Sequence, residues 1–126
     1  MQGVEHNGHE KLTLLELVLR LEGDFRRRLE TIRVTPLQAG VLLFLCRHAD
    51  ATLTGAATAL GVRLPTVSVV VKDLVRKRWV TKRRSVTDTR VVCLSLSRRG
   101  AALAQRIKKQ VRDVRGDLIP MKEVSS

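Results

Sequence analysis

The stretch Leu53–Gly100, LTGAATALGVRLPTVSVVVKDLVRKRWVTKRRSVTDTRVVCLSLSRRG, decides the fold of this chain. Leu53–Leu60 is small and apolar and predicts a short helix, which Gly61 ends, as glycine commonly does at a helix C-terminus. A second helix is predicted over about Pro65–Lys77, with its proline in the first turn, where the missing N–H has no partner to lose. Trp79–Arg83 and Val91–Leu96 then read as strands, with Val92, Leu94 and Leu96 alternating on one face. The loop between them, Arg84–Arg90, is polar and basic and should project. Helix, tight turn, helix and basic hairpin is the layout of a winged helix-turn-helix, a module that lays one helix in the DNA major groove.

The second helix has two faces. Val67, Val70, Val71 and Leu74 form an apolar one, and Pro65, Thr66, Ser68, Val69, Lys72 and Arg76 lie opposite. Hydroxyls that donate or accept, a side chain able to pack on a thymine methyl, and cations are what base edges and phosphates call for. In the hairpin, Asp88 stands two residues before Arg90, close enough for its carboxylate to brace the guanidinium. A braced arginine at a hairpin tip suits a minor groove or its flanking phosphates.

Charge points the same way. Residues 1–60 hold seven Lys/Arg and seven Asp/Glu, whereas residues 61–126 hold 17 and five, so the whole net charge of +12 falls in the second half. A field so concentrated implies a polyanionic partner. The aromatic residues are only Phe25, Phe44 and Trp79, too few for a single-strand or RNA site built on stacked rings. No apolar run approaches the roughly 20 residues of a membrane span, and the first ten residues lack the basic flank and apolar centre of a signal peptide. No membrane partner is expected.

Outside the central stretch, helical periodicity dominates. From Lys11 to about Thr31, Leu14, Val18, Leu21, Phe25 and Leu29 make a continuous stripe. Leu12, Leu15, Leu17 and Leu19 make the first half of that helix apolar almost all round, so its extra face needs a partner, most economically a second copy of the chain. Thr35 caps a buried helix over Leu37–His48 that opens on Pro36. Ser97 is a good cap for a last helix with a stripe of Leu103, Ile107, Val111 and Val114. Gly116 is expected to stop or bend that helix, and Pro120 to interrupt any helix beyond it. Cys46 and Cys93 lie in apolar segments and read as buried small hydrophobes of a reducing cytoplasm. His6 and His9, with Glu5 and Glu10, do not amount to a metal site. No nucleophile–base pair, Gly-rich phosphate loop or paired carboxylates support an enzyme, and no cofactor or metal is expected.

From about Leu12 to Val114 these residues resemble the MarR family of bacterial and archaeal winged-helix transcriptional regulators. The sharpest parts are Leu60-Gly61-Val62 with Pro65-Thr66-Val67-Ser68, and Asp88-Thr89-Arg90 with Leu94-Ser95-Leu96-Ser97-Arg98-Arg99-Gly100. The resemblance implies a mainly α fold with a small β-hairpin wing. The whole of 1–126 would form one domain, with dimerisation helices at about 11–33 and 98–119 around a DNA-binding core at about 36–97. It implies a homodimeric repressor on double-stranded DNA, with room for a small-molecule effector between the dimerisation helices and the winged domain. Thr66, Ser68, Val69 and Lys72 would face bases, Arg90 would be the wing-tip arginine, and Thr54 would meet the phosphate backbone. Pro65, Arg63, Arg76, Arg83 and Arg84 complete the expected DNA set, and Leu12, Leu15, Val18, Leu19, Ile107 and Val111 the dimer set. The sequence departs from the family at Val69, where a polar or basic residue is frequent, and at Arg78, where glycine is common. It also has only 26 residues after Gly100, so the dimer is expected to lean on the first helix. A nonspecific architectural DNA-binding protein and a winged helix used for protein interaction remain open as other readings.

Overall fold

The computed structural model describes residues 13–118; Leu12, His6, His9 and Pro120 lie outside them. Among the described residues, five helices and a three-stranded antiparallel sheet follow in the order α1 (Leu14–Glu30), α2 (Pro36–Arg47), β1 (Ala51–Thr52), α3 (Leu53–Leu60), α4 (Leu64–Arg76), β2 (Val80–Arg84), β3 (Val92–Leu96) and α5 (Arg98–Leu118). The expected mainly α fold with a β wing is the one observed.

Local chemistry sets the element ends. The Thr13 hydroxyl accepts from the Glu16 N–H at 3.1 Å while the Thr13 N–H donates to Glu16 Oε1 at 2.8 Å, a reciprocal capping box that opens α1. The backbone N–H and then the hydroxyl of Thr13 hold the Glu16 carboxyl below its ordinary pKa. Thr35 and Gln38 repeat the device at α2, with Pro36 in the first turn. Ser97 accepts from the Gly100 N–H at 3.0 Å and starts α5.

Three helices end in the same way. After α3, Gly61 takes φ 68° and the Val62 N–H donates back to the Ala57 carbonyl at 3.0 Å. After α1 and α4 the left-handed position is held by arginine: Arg33 at φ 62°, with Val34 N–H on Leu29, and Arg78 at φ 64°, with Trp79 N–H on Leu74. All three have the six-to-one bond of a Schellman motif. The departure from glycine at Arg78 therefore leaves the cap geometry in place and puts a Cβ into it.

The core gathers on α2, where Ala39, Val41, Leu42, Phe44 and Leu45 are buried against Leu29 of α1, Val67, Val71 and Leu74 of α4, Leu94 of β3, and Leu103 and Ile107 of α5. The sheet runs β1-β3-β2, with Ala51 opposite Leu94 and Arg83 opposite Cys93. The strand β1 gives no signal of its own in the sequence. A two-residue strand is too short for alternation to show, and Asp50 before it turns at φ 59°.

Expectations change in three places. Ile107, expected at a dimer face, is 0% exposed within a single chain, and the partly buried Val111 packs against the same core. Their stripe is apolar because it faces α1 and α2. Cys46 and Cys93 are free thiols of intermediate exposure rather than buried ones. The last helix passes Gly116 and continues to Leu118, since a glycine inside a helix weakens it by only about 1 kcal/mol.

Candidate nucleic-acid interface

Helices α3 and α4 meet at 115° across the Gly61 turn, within the range of a helix-turn-helix. No single helix among the described residues is long and apolar enough to cross a membrane.

The face of α4 away from the core carries the predicted reading residues. Pro65, Thr66, Val69, Lys72 and Arg76 are exposed and Ser68 half-buried, while Val67, Val71 and Leu74 are buried beneath them. Val69 is 68% exposed, which leaves its methyl groups available to a base. Arg63, at the N-cap, makes no side-chain cap bond and is exposed.

The wing is built from its own polar groups. The Ser85 N–H donates to the Val91 carbonyl at 2.8 Å and the Val91 N–H to the Asp88 carbonyl at 2.9 Å. Arg84 closes the loop from outside, Nη1 donating to the Thr89 carbonyl at 2.8 Å. Asp88 Oδ1 accepts from both the backbone N–H of Arg90 at 3.0 Å and its Nε at 3.2 Å, and Nη2 reaches Oδ2 at 3.5 Å. The brace inferred from the two-residue spacing is present, and it leaves the guanidinium largely in solvent.

Thr54, Leu64 and Arg90, from three separate elements, line one open groove of about 340 Å³ with Val91 and Val92. The structure thus brings the start of α3, the start of α4 and the wing arginine together. A second depression of about 510 Å³ runs along the other side of α4, between Val69, Lys72 and Arg76 and the first turn of α2. Gln38 Nε2 donates there to Asp73 Oδ2 at 2.9 Å. Asp73 also pairs with Arg76 and, at 3.5 Å, with Lys77. No local pattern announces this link, because its partners are 35 residues apart.

Arg83 stands apart from the others. It shares a sheet face with its cross-strand partner Cys93 and with Ser95, opposite the face of buried Val80 and Leu94. Its Nη2 reaches Asp50 Oδ1 at 2.5 Å, and the Ser95 hydroxyl donates to the same oxygen at 3.2 Å. The sequence grouped Arg83 with Arg84 and Arg90; the structure ties it to the sheet.

Comparison with known proteins matches residues 34–91 to the MarR family model. No curated protein matches the chain. Among solved structures, a mutant Escherichia coli MarR in complex with operator DNA shares 24% identity and a TM-score of 0.77, over 83% of this chain and 76% of that one. A Staphylococcus aureus MepR–DNA complex shares 23% identity and a TM-score of 0.78, over 88% and 85%. CouR from Rhodococcus jostii RHA1, bound to p-coumaroyl-CoA, shares 18% and 0.80, over 85% and 76%. Members of the family are transcription regulators and not enzymes. The family model lies over α2, the helix-turn-helix and the wing, and across most of its length the chain has the fold of the MarR winged helix-turn-helix structures.

Proposed function

We propose that the chain is a sequence-specific, double-stranded-DNA-binding transcription regulator, a repressor acting in the cytoplasm as a homodimer. The observation that carries this reading is the convergence of Arg90, Thr54 and the start of α4 on one groove, beside the exposed stripe Pro65, Val69, Lys72 and Arg76. With α4 in the major groove, Thr66, Ser68, Val69 and Lys72 meet base edges, while Arg90 and Thr54 meet the flanking backbone. The relatives solved with DNA support the same docking.

The exposed apolar side chains at the start of α1, Leu14, Leu15, Val18 and Leu19, supply the dimer contact. An effector has a seat in the apolar groove of about 220 Å³ between Phe25, Leu29, Pro36, Ala39 and Leu43. A small molecule lodged there would alter how α1 and α2 hold the winged core, and so the spacing of the two heads. CouR, with its bound thioester, supports a ligand-responsive reading.

Selection from random duplexes tests the proposal. The expected product is a pseudo-palindrome with half-sites about one helical turn apart. Recovery of no preferred sequence at moderate salt overturns the specific regulator and leaves a nonspecific DNA coat in its place.

A further inference from the structure

Only three acidic residues occur between Glu30 and Asp113, and each holds an arginine: Asp50 with Arg83, Asp73 with Arg76, Asp88 with Arg90. A further run of uncompensated charge lies on the outer side of α5. From Arg98 to Arg112 this helix carries Arg98, Arg99, Arg106, Lys108, Lys109 and Arg112, all exposed, and no acid. None of the six has an acidic partner among the described residues. Gly100, Leu103, Ala104 and Ile107 take the inner side. Positions 98, 102, 105, 109 and 112, at steps of four and three, follow one line along the exposed side of α5, with Gln105 and Arg112 at its edge toward α2. At 1.5 Å per residue the charged stretch is about 21 Å long.

We propose that this face of α5 is a second binding surface for the backbone of duplex DNA, separate from the α4–wing interface. Its chemistry selects that occupant. The only apolar side chains exposed on α5 between Arg98 and Arg112 are those of Ala101 and Ala102, so it offers a membrane no apolar face to insert. It has no aromatic ring on which single-stranded bases could stack. It lacks the large buried anchor around which protein interfaces concentrate their affinity. Cations spaced along a rod, with alanines between them that let a phosphate ridge come near, suit a sequence-blind polyanion. Because α5 starts against Trp79, just past α4, and packs its length on α1 and α2, the line leads away from the winged interface. The phosphates it meets belong to the flank of the same duplex or to a second one.

The test uses the whole protein with Arg106→Gln, Lys109→Gln and Arg112→Gln combined, beside Lys72→Ala combined with Arg90→Ala. All five side chains are exposed, and unchanged thermal melting confirms the fold. Affinity is measured against salt on duplexes of about two helical turns and on much longer ones, and capture of a labelled second duplex is measured on protein already bound to an immobilised one. The triple α5 variant is expected to bind the short duplex within about twofold of the unmodified protein. A flank contact predicts that it loses roughly two to three from the salt slope on the long duplex, about 0.9 per phosphate released. A bridging contact predicts that it loses second-duplex capture. No change in either measurement overturns the second surface, as does an equal loss on short and long duplexes. Losses confined to the Lys72/Arg90 variant uphold the winged interface and sink this one; losses confined to the α5 variant do the reverse.

Discussion

Gly100 lies against Trp79 so closely that a Cβ at position 100 would stand 2.0 Å from the Trp79 carbonyl oxygen. Around that contact the Ser97 N–H donates to the same carbonyl at 3.0 Å, the Ser97 hydroxyl donates to the Arg78 carbonyl at 2.6 Å, and the Gly100 N–H donates to the Ser97 hydroxyl. The first turn of α5 is thereby fixed to the segment that joins α4 to the wing. Gly100→Ala should cost about 3 kcal/mol, since backbone rather than a flexible side chain must yield, and lower the melting temperature by about 10 °C. Gly23→Ala is the control: it meets only the end of Arg27 at 3.5 Å and should be neutral or stabilising, as alanine is favoured inside a helix. Equal melting of the two variants would refute the close approach.

Arg33 and Arg78 occupy left-handed positions that cost an ordinary residue about 1–2 kcal/mol. Glycine relieves that strain but gives back roughly 0.5–1 kcal/mol through the freedom of the unfolded chain. Arg33→Gly and Arg78→Gly should each raise stability by a few tenths to about 1 kcal/mol, read from chemical denaturation. A loss of stability at both sites would show that the arginine side chains contribute packing that outweighs the strain.

These two arginines also show where the sequence stops being readable. Thr35-Pro36, Gly61 and Ser97 announce their helix ends because cap chemistry is local, within three residues. A left-handed arginine carries no such mark, for its conformation is imposed by the Schellman bonds around it. The stripe through Leu103, Ile107 and Val111 shows that α5 has an apolar face but not whether its own chain or another covers it. The same holds for charge. Asp88 and Arg90 are neighbours and their contact was legible, whereas Asp50–Arg83 and Gln38–Asp73 join segments that only the sheet and the packing of α2 bring together.

Arg83 and Lys72 should accordingly separate in a binding assay, although the sequence placed both in the DNA set. Arg83 lies on the outer sheet face, held by Asp50, and Arg83→Ala should leave DNA affinity within about threefold. It should cost little stability, because exposed ion pairs contribute at most about 1 kcal/mol. Lys72→Ala, on the exposed face of α4, should weaken binding about tenfold, in keeping with the 1–3 kcal/mol of a base contact, and relax sequence preference. The comparison requires competition with random duplex at fixed salt. A larger loss at Arg83 than at Lys72 would mean that Asp50 releases Arg83 when DNA arrives.

Asp88 acts on DNA through Arg90. Arg90→Ala should weaken binding to all duplexes alike and reduce the salt slope by about 0.9, the value for one phosphate. Asp88→Asn keeps the acceptor oxygen for the Arg90 N–H but removes the charge that orients the guanidinium, so a smaller uniform loss is expected. In the double variant the two losses should not add, because a brace without its arginine has nothing to hold. Additive losses would assign Asp88 a contribution of its own, for example in shaping the loop.

The start of α1 exposes Leu14 at 77% and Leu15 at 66%, with Val18 and Leu19 also bare, over two turns that no other described residue covers. Burying four such side chains at a two-fold contact is worth about 1.5–3 kcal/mol each before association costs, enough to hold a dimer. Leu15→Ser with Leu19→Ser should leave the helical signal and melting of a single chain intact while shifting sedimentation from dimer to monomer. The same contact should loosen in acid. The folded Glu16 carboxyl sits below its ordinary pKa, so its hydrogen bonds to Thr13 stabilise the first turn of α1 fully above the unfolded carboxylate range and lose that effect as pH falls through the folded value. Dimer dissociation should therefore increase on acidification, and Glu16→Gln should flatten that dependence. An unmodified chain that sediments as a monomer at neutral pH, or a double-serine variant that remains a dimer, would place the contact elsewhere.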